Sequence, residues 1–249
     1  QGRGVVRSSL HAVTLSVAVG HQAAVEPSCY SRLVNDWFCV DYYRDRGDQL
    51  ISAGSEHLLI TVVAVLAGAV LAVPLALMAR RSAGLQSSVL GVSTAIYTVP
   101  SLALFPLLVP FTGLTRTTVV VGLALYSLTV LVRAALDGLA SVPEEVRESA
   151  RGLGYGPTRM LAQIEFPLAL PVLFGGLRVA TVSTVALTTI GTLVSYGGFG
   201  NLIKDGVDTN FRAELAAAAL GCVVLAAALD LLLVGVQRLL TPWTKRVAA

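Results

Sequence analysis

The chain has 249 residues, 55% of them hydrophobic and only 13% charged, with a mean hydropathy of +0.74. Ordinary soluble domains carry about 25% charged residues, so this composition excludes a typical soluble enzyme and places the chain in lipid. Its formal net charge of +3 comes from scattered basic residues, which excludes a nucleic-acid-binding face.

Residues 1–48 read as an extracytoplasmic tail. They hold an apolar patch at residues 12–19 that is too short to span a bilayer, and no signal-peptide cleavage pattern. The tract 36–49 mixes aromatic and charged residues, as an interfacial segment does. Cys29 and Cys39 are either a disulfide facing an oxidising exterior or two unpaired thiols. Cys222 reads as a small packing residue in a span, and three cysteines at these spacings do not make a metal site.

A bilayer core of about 30 Å takes roughly 20 apolar residues to cross as a helix. Stretches that meet or approach this length are residues 58–79, 85–115, 117–139, 168–196 and 213–240, which predicts about five transmembrane helices. Arg80 and Arg81 close the first. The second is uncharged but interrupted by Pro100, Pro106 and Pro110, and Pro74 stands in the first. Basic residues in short loops favour the cytoplasm. With the N-terminus outside, Arg80, Arg81, Arg147, Arg151, Arg159, Arg238, Lys245 and Arg246 fall inside, while Arg116, Lys204 and Arg212 fall outside. Arg44 and Arg46 count against this orientation; the C-terminal tail, 241–249, is then cytoplasmic.

Between the third and fourth spans lies a polar island, residues 141–167. Ser141-Val142-Pro143-Glu144 has capping-box spacing and starts a helix. Val146, Ala150 and Leu153 share one face of it, and Glu148 is placed to pair with Arg151. Gly152 and Gly154 end that helix, and Gly156-Pro157 begins a second short one that stops before Pro167. An amphipathic helix lying flat on lipid would be rich in Lys and Arg with bulky apolar residues opposite. This one has four glutamates and a small Val-Ala-Leu face, which suits a groove in a soluble partner.

The spacing Glu148-Ser149-Ala150-x3-Gly154-x9-Ile164-x-Phe166-Pro167 resembles the EAA loop of permease subunits of ABC importers, E-A-A-x3-G-x9-I-x-L-P. Ser149 stands for the second-position alanine and Phe166 for the leucine. Residues 168–171, Gly175-Gly176-Leu177-Arg178, the small-residue run 180–192 and Tyr196-Gly197-Gly198-Phe199-Gly200 are similar to permeases of glycine betaine, carnitine and choline importers. The likeness covers about residues 50–240, the expected permease domain. It implies an all-α membrane protein of MetI-like permease fold with a cytoplasmic coupling loop, carrying a quaternary amine osmoprotectant. Importers of another small solute, such as a methionine-like amino acid, share the loop. By resemblance, Glu148, Ser149, Ala150, Gly154, Ile164 and Pro167 couple the chain to a cytoplasmic ABC ATPase dimer. The other implied partners are an extracellular solute-binding protein and a second permease, identical or homologous. No cofactor is implied in this chain; ATP and Mg belong to the partner ATPase, and this chain has no G-x4-G-K-[ST] loop. The expected location is the cytoplasmic membrane.

Charges inside spans are functional hypotheses by default. Arg133 and Asp137, at i and i+4, are placed to pair with one another, and Asp230 to pair with Arg178 or Arg133. The hydroxyls of Thr184, Thr188 and Thr192 either pack helices together or line a translocation path, with Tyr97 among the aromatic candidates for a cation. An intramembrane enzyme would need paired catalytic groups at membrane depth. His11, His21 and His57 precede the spans or stand at their edge, and no second aspartate pairs with Asp230.

Overall fold

The computed structural model describes residues 28–31 and 33–243. The patch at 12–19, His11, His21, Lys245 and Arg246 lie outside the described residues. Helix α1, Val40–Asp45, precedes α2, Gly47–Ala79, a helix of 33 residues. At 1.5 Å per residue α2 is about 50 Å long, more than a bilayer core requires. It begins eleven residues before the expected span because Gln49 to Glu56 contains no proline and the helix tolerates Gly54, and Pro74 is accommodated without ending it.

The expected second span is two helices. Ser82 caps α3, Ala83–Thr98, its Oγ accepting from Leu85 N at 3.2 Å. Pro100 holds Val99 in extended backbone (φ −64°, ψ 125°), and the chain turns by 99° into α4, Ser101–Thr112. Pro106 and Pro110 lie inside α4 and do not break it.

Helix α5, Arg116–Ala140, is the centre of the molecule, packed between α2 and α8, Phe166–Thr188. Ala72, Ala76 and Ala79 of α2 meet Leu128, Leu131, Val132, Ala135 and Leu136 of α5 and Ala180 of α8. Lipid offers no hydrophobic drive between helices, so close approach through small residues does the packing. Gly176 shows this: a Cβ there would collide with the Cβ of Ala134. A second cluster joins Ile60 and Ala64 to Phe105, Val119, Leu123 and Val194.

Before α8 come α6, Glu144–Gly152, and α7, Pro157–Met160. The second short helix does not stop before Pro167. It passes through a π-helical turn, Leu161–Glu165, directly into α8 and on through a 3-10 turn, Thr189–Val194. Phe166 N donates to Leu161 O across that wider turn. The turn opens the helix where the Pro167 ring would otherwise crowd the preceding carbonyls.

Helix α9, Phe199–Asp208, and α10, Arg212–Leu240, complete the chain. Among the described residues, four helices are long and apolar enough to cross a membrane, or five if the bent α3–α4 pair is one span. The ends of α2, α5 and the α6–α7 segment gather at one pole, here the loop end. The start of α2, the Arg116–Glu56 ion pair (3.5 Å), α9 and residues 28–31 and 33–46 gather at the other, the cap end. There Cys29 and Cys39 are joined in a disulfide. Asn35 latches this strap to the α9–α10 turn, donating to Asn210 O at 2.7 Å and accepting from Arg212 N at 3.0 Å.

Candidate functional site

The polar island at the loop end is built around α6. The expected capping box does not form: Ser141 Oγ donates to Gly138 O at 2.7 Å, finishing α5, and Pro143 is the N-cap residue. Glu144 and Glu145 in the first turn instead meet the positive end of the helix dipole. The expected Glu148–Arg151 pair is also absent, because Arg151 reaches back to Glu144. Arg147 donates to the other Glu144 oxygen at 3.0 Å. These two guanidinium groups, Arg147 first, hold the Glu144 carboxyl below the usual carboxylate range. Glu148 is left exposed, with no ion pair among the described residues.

Helix α6 ends in a Schellman motif. Gly154 takes the left-handed conformation (φ 82°), Tyr155 N donates to Ala150 O at 3.1 Å and Gly154 N to Arg151 O at 2.9 Å. Ala150 is buried, whereas Leu153 is 79% exposed and Val146 lies at the margin, so the expected apolar face is only partly covered. Ser149 Oγ turns back to Glu145 O at 2.8 Å. Ile164 and Pro167 are half-buried in the rod that follows.

Glu165, which no sequence pattern singled out, is the hub of this end. It is 2% exposed, yet Arg80 donates to both its oxygens at 2.6 and 3.0 Å and Arg147 Nε donates at 3.0 Å. Arg147 also donates to Leu139 O at 2.6 Å. One buried carboxylate thus ties the ends of α2 and α5 to α6 and to the base of α8. A cleft of about 700 Å³ opens among Arg80, Glu144, Arg147, Arg151, Tyr155 and Glu165. The available signal was an isolated acid inside an apolar run, with arginines closing other spans.

Deeper in the molecule, Arg178 of α8 grips Asp230 of α10 with two hydrogen bonds of 2.7 Å. Arg133 and Asp137 do not pair. Both lie exposed on α5, in a groove of about 650 Å³ that also has Tyr97, Gly175 and Gly176 in its lining. Thr184 and Thr188 are buried, and their hydroxyls donate to Ala180 O and Thr184 O at 2.7 and 2.8 Å. Thr192 is half-buried and Tyr97 exposed. His57 is buried against Val185 O (2.9 Å to Nε2), with no acid or nucleophile paired to it among the described residues. The sulfurs near Asp41 are bonded to each other and so cannot serve as thiolate metal ligands.

The family described as binding-protein-dependent transport system inner membrane component matches residues 59–246. The chain belongs to this family. The choline transport system permease protein OpuBD of Bacillus subtilis is 34% identical over 206 residues, covering 82% of this chain and 91% of that protein. The osmoprotectant import permease protein OsmW of Salmonella typhimurium is 36% identical over 208 residues, covering 82% and 97%. A chain of the MetNI methionine ABC transporter, solved facing inward, superposes with a TM-score of 0.73 at 19% identity, covering 79% and 98%. The last likeness establishes the MetI-like fold of this permease. It is a non-catalytic transport subunit set in a membrane. The family match begins at Leu59, so the disulfide strap and the first turns of α2 precede the matched region.

Proposed function

We propose that this permease, with a second identical or homologous copy, forms the path by which an ABC importer takes up a quaternary amine osmoprotectant, glycine betaine, choline or carnitine. A cytoplasmic ATPase dimer docks on residues 141–167, and an extracellular binding protein delivers the solute to the cap end. The observation that carries the coupling role is the Glu165 brace. A force applied to α6 passes through Arg147 and Glu165 to α8, and through Glu165 and Arg80 to α2, without a flexible joint. Glu148, exposed and unpaired beside the small face of Ala150, supplies the acidic contact, with Ser149 next to it. Gly154 supplies the bend, and Ile164 and Pro167 sit in the rod that receives the motion. ATP and Mg are bound by the ATPase. The choline and osmoprotectant names of the relatives support the solute class.

The N-terminus outside and C-terminus inside, in the cytoplasmic membrane, is supported by the disulfide at the cap end and by Arg80, Arg81, Arg147, Arg151 and Arg159 at the loop end. Tyr97, Thr184, Thr188 and Thr192 are the path candidates, Tyr97 exposed and Thr192 half-buried in this chain.

The test is uptake into proteoliposomes holding the permease, its cognate ATPase and binding protein. Glycine betaine, choline and carnitine are expected to enter with ATP, and methionine not. Glu148→Lys is expected to abolish uptake without altering insertion, because the side chain is exposed and has no internal partner. Gly154→Pro is expected to do the same by removing the left-handed turn. Wild-type uptake by both variants would sink the coupling assignment, and uptake of methionine alone would sink the solute class.

A further inference from the structure

At the cap end the strap and the first turns of α2 and α10 enclose an open pocket of about 770 Å³ that the coupling mechanism does not use. Its walls include Tyr30, Tyr42, Arg46, Asp205, Phe211 and Glu214. The three rings form one cluster: Tyr42 stands edge-on to Phe211 at 5.5 Å and to Tyr30 at 6.0 Å. Glu214 is 8% exposed, and its carboxylate accepts a single long hydrogen bond, from Gln49 Nε2 at 3.4 Å. Neither Glu214 nor Asp205 has an ion-pair partner within 4.0 Å among the described residues. Tyr42 is 1% exposed, and its hydroxyl, too, has no partner. Burial, with the nearby charge of Glu214, pushes that hydroxyl up to about 12, so at neutral pH it remains a donor lacking an acceptor. A buried carboxylate without a cation is costly, and here it borders open space.

We propose that this pocket binds a small quaternary-ammonium solute on the permease itself. An alkylated ammonium suits the site better than a hard metal ion does. Metal ions demand several oxygen ligands, whereas a weakly hydrated onium group is held by ring faces together with a carboxylate. The two carboxylates outnumber the single guanidinium of Arg46, so the pocket favours a net cation such as choline. Arg46 makes no ion pair among the described residues and stands with the Tyr42 hydroxyl as a donor for the carboxylate of a betaine. This assignment rests on the quaternary-amine reading of the transported solute. It is otherwise independent of the family match, because Tyr30, Tyr42 and Arg46 precede the matched region.

The experiment is equilibrium binding of radiolabelled choline and glycine betaine to the purified permease–ATPase complex in nanodiscs, without the binding protein. Saturable binding is expected, with choline the tighter of the two. Glu214→Gln and Phe211→Leu each weaken it about tenfold, the scale of losing one desolvated charge or ring contact. Tyr42→Phe is expected to cost less. Thiol labelling of the unreduced protein, which should reach Cys222 alone among the described cysteines, reports that the strap is intact in each variant. Binding-protein-dependent uptake by the wild type is measured beside it. Absence of quaternary-amine uptake overturns the solute reading whatever the binding result. Normal uptake with no binding, or with Glu214→Gln binding as the wild type does, overturns the pocket assignment alone.

Discussion

Glu165 at the loop end and Glu214 at the cap end are both buried carboxylates, 2% and 8% exposed. Glu165 receives three hydrogen bonds from two guanidinium groups, all of 3.0 Å or shorter. Glu214 receives one amide at 3.4 Å. The same chemical group is therefore a structural fastener in one place and an unfilled requirement in the other. Burial alone does not distinguish a brace from a binding site; the count of partners does.

That contrast can be broken most directly by removing each acid. Glu165→Ala takes Arg80's ion-pair partner away, while Arg147 keeps Glu144 and Leu139 O, and is expected to cost about 1.5–3 kcal/mol, the scale of losing a hydrogen bond to a charged group. Glu214→Ala removes a charge that has no partner and is expected to leave the thermal unfolding midpoint unchanged or raised. Equal losses in the two variants, read from unfolding of the purified complex, would erase the distinction. Replacing Cys29 and Cys39 by serine together opens a short closed loop and is expected to destabilise the strap by about 2–3 kcal/mol. Limited proteolysis should then cut residues 28–46 faster while the 141–167 segment stays as resistant as before. Cleavage that rises equally at both ends would mean that the poles are not independent.

A smaller effect is expected from the Arg178–Asp230 pair, whose side chains are 36% and 28% exposed. The pair makes two hydrogen bonds against the three at Glu165, and a double-mutant cycle with Arg178→Ala and Asp230→Ala should return a coupling smaller than the Glu165 penalty. A coupling as large as the Glu165 penalty would show that α8 and α10 are fastened as firmly as α8 and α2. The smallest effect concerns acid. Glu144 has its folded value depressed by Arg147 and Arg151, so its contribution is fully present above the unfolded glutamate value, about 4.3. It is lost as pH falls through the lower folded value. Amide-exchange protection of α6, corrected for intrinsic rates, should hold from pH 7 to about pH 5 and decline only below about pH 4. A decline centred near neutrality would assign the protection to another group.

Legibility from sequence divides along the same axis. The spans and the ends of α6 rest on local patterns: apolar length, the glycine at 154, the proline at 157. Their main departures are also local in cause, for Pro100 bends a run that is apolar throughout, while Pro167 fails to end a helix that widens beneath it. The sites themselves depend on distant partners. Arg80 and Glu165 are 85 residues apart, and Asn35 and Arg212 are 177 apart. Nothing in the neighbourhood of Glu165 reveals that two arginines converge on it. The threonines at 184 and 188 are hard to read for a related reason: a small polar residue in a span looks alike whether it faces a path or bonds its own helix.

The Glu165 brace also bears on the order in which the chain is put together. Its arginines lie 85 and 18 residues ahead of it, so both have been synthesised when the carboxylate emerges. A lone carboxylate entering an apolar interior carries a heavy desolvation cost, which falls only if α2 and α6 already stand in place to receive it. A copy in which α2 has inserted wrongly cannot seat the base of α8 and keeps a charged, unpacked loop on its surface. One ion triad thus makes the seating of α8 depend on α2 and α6 together.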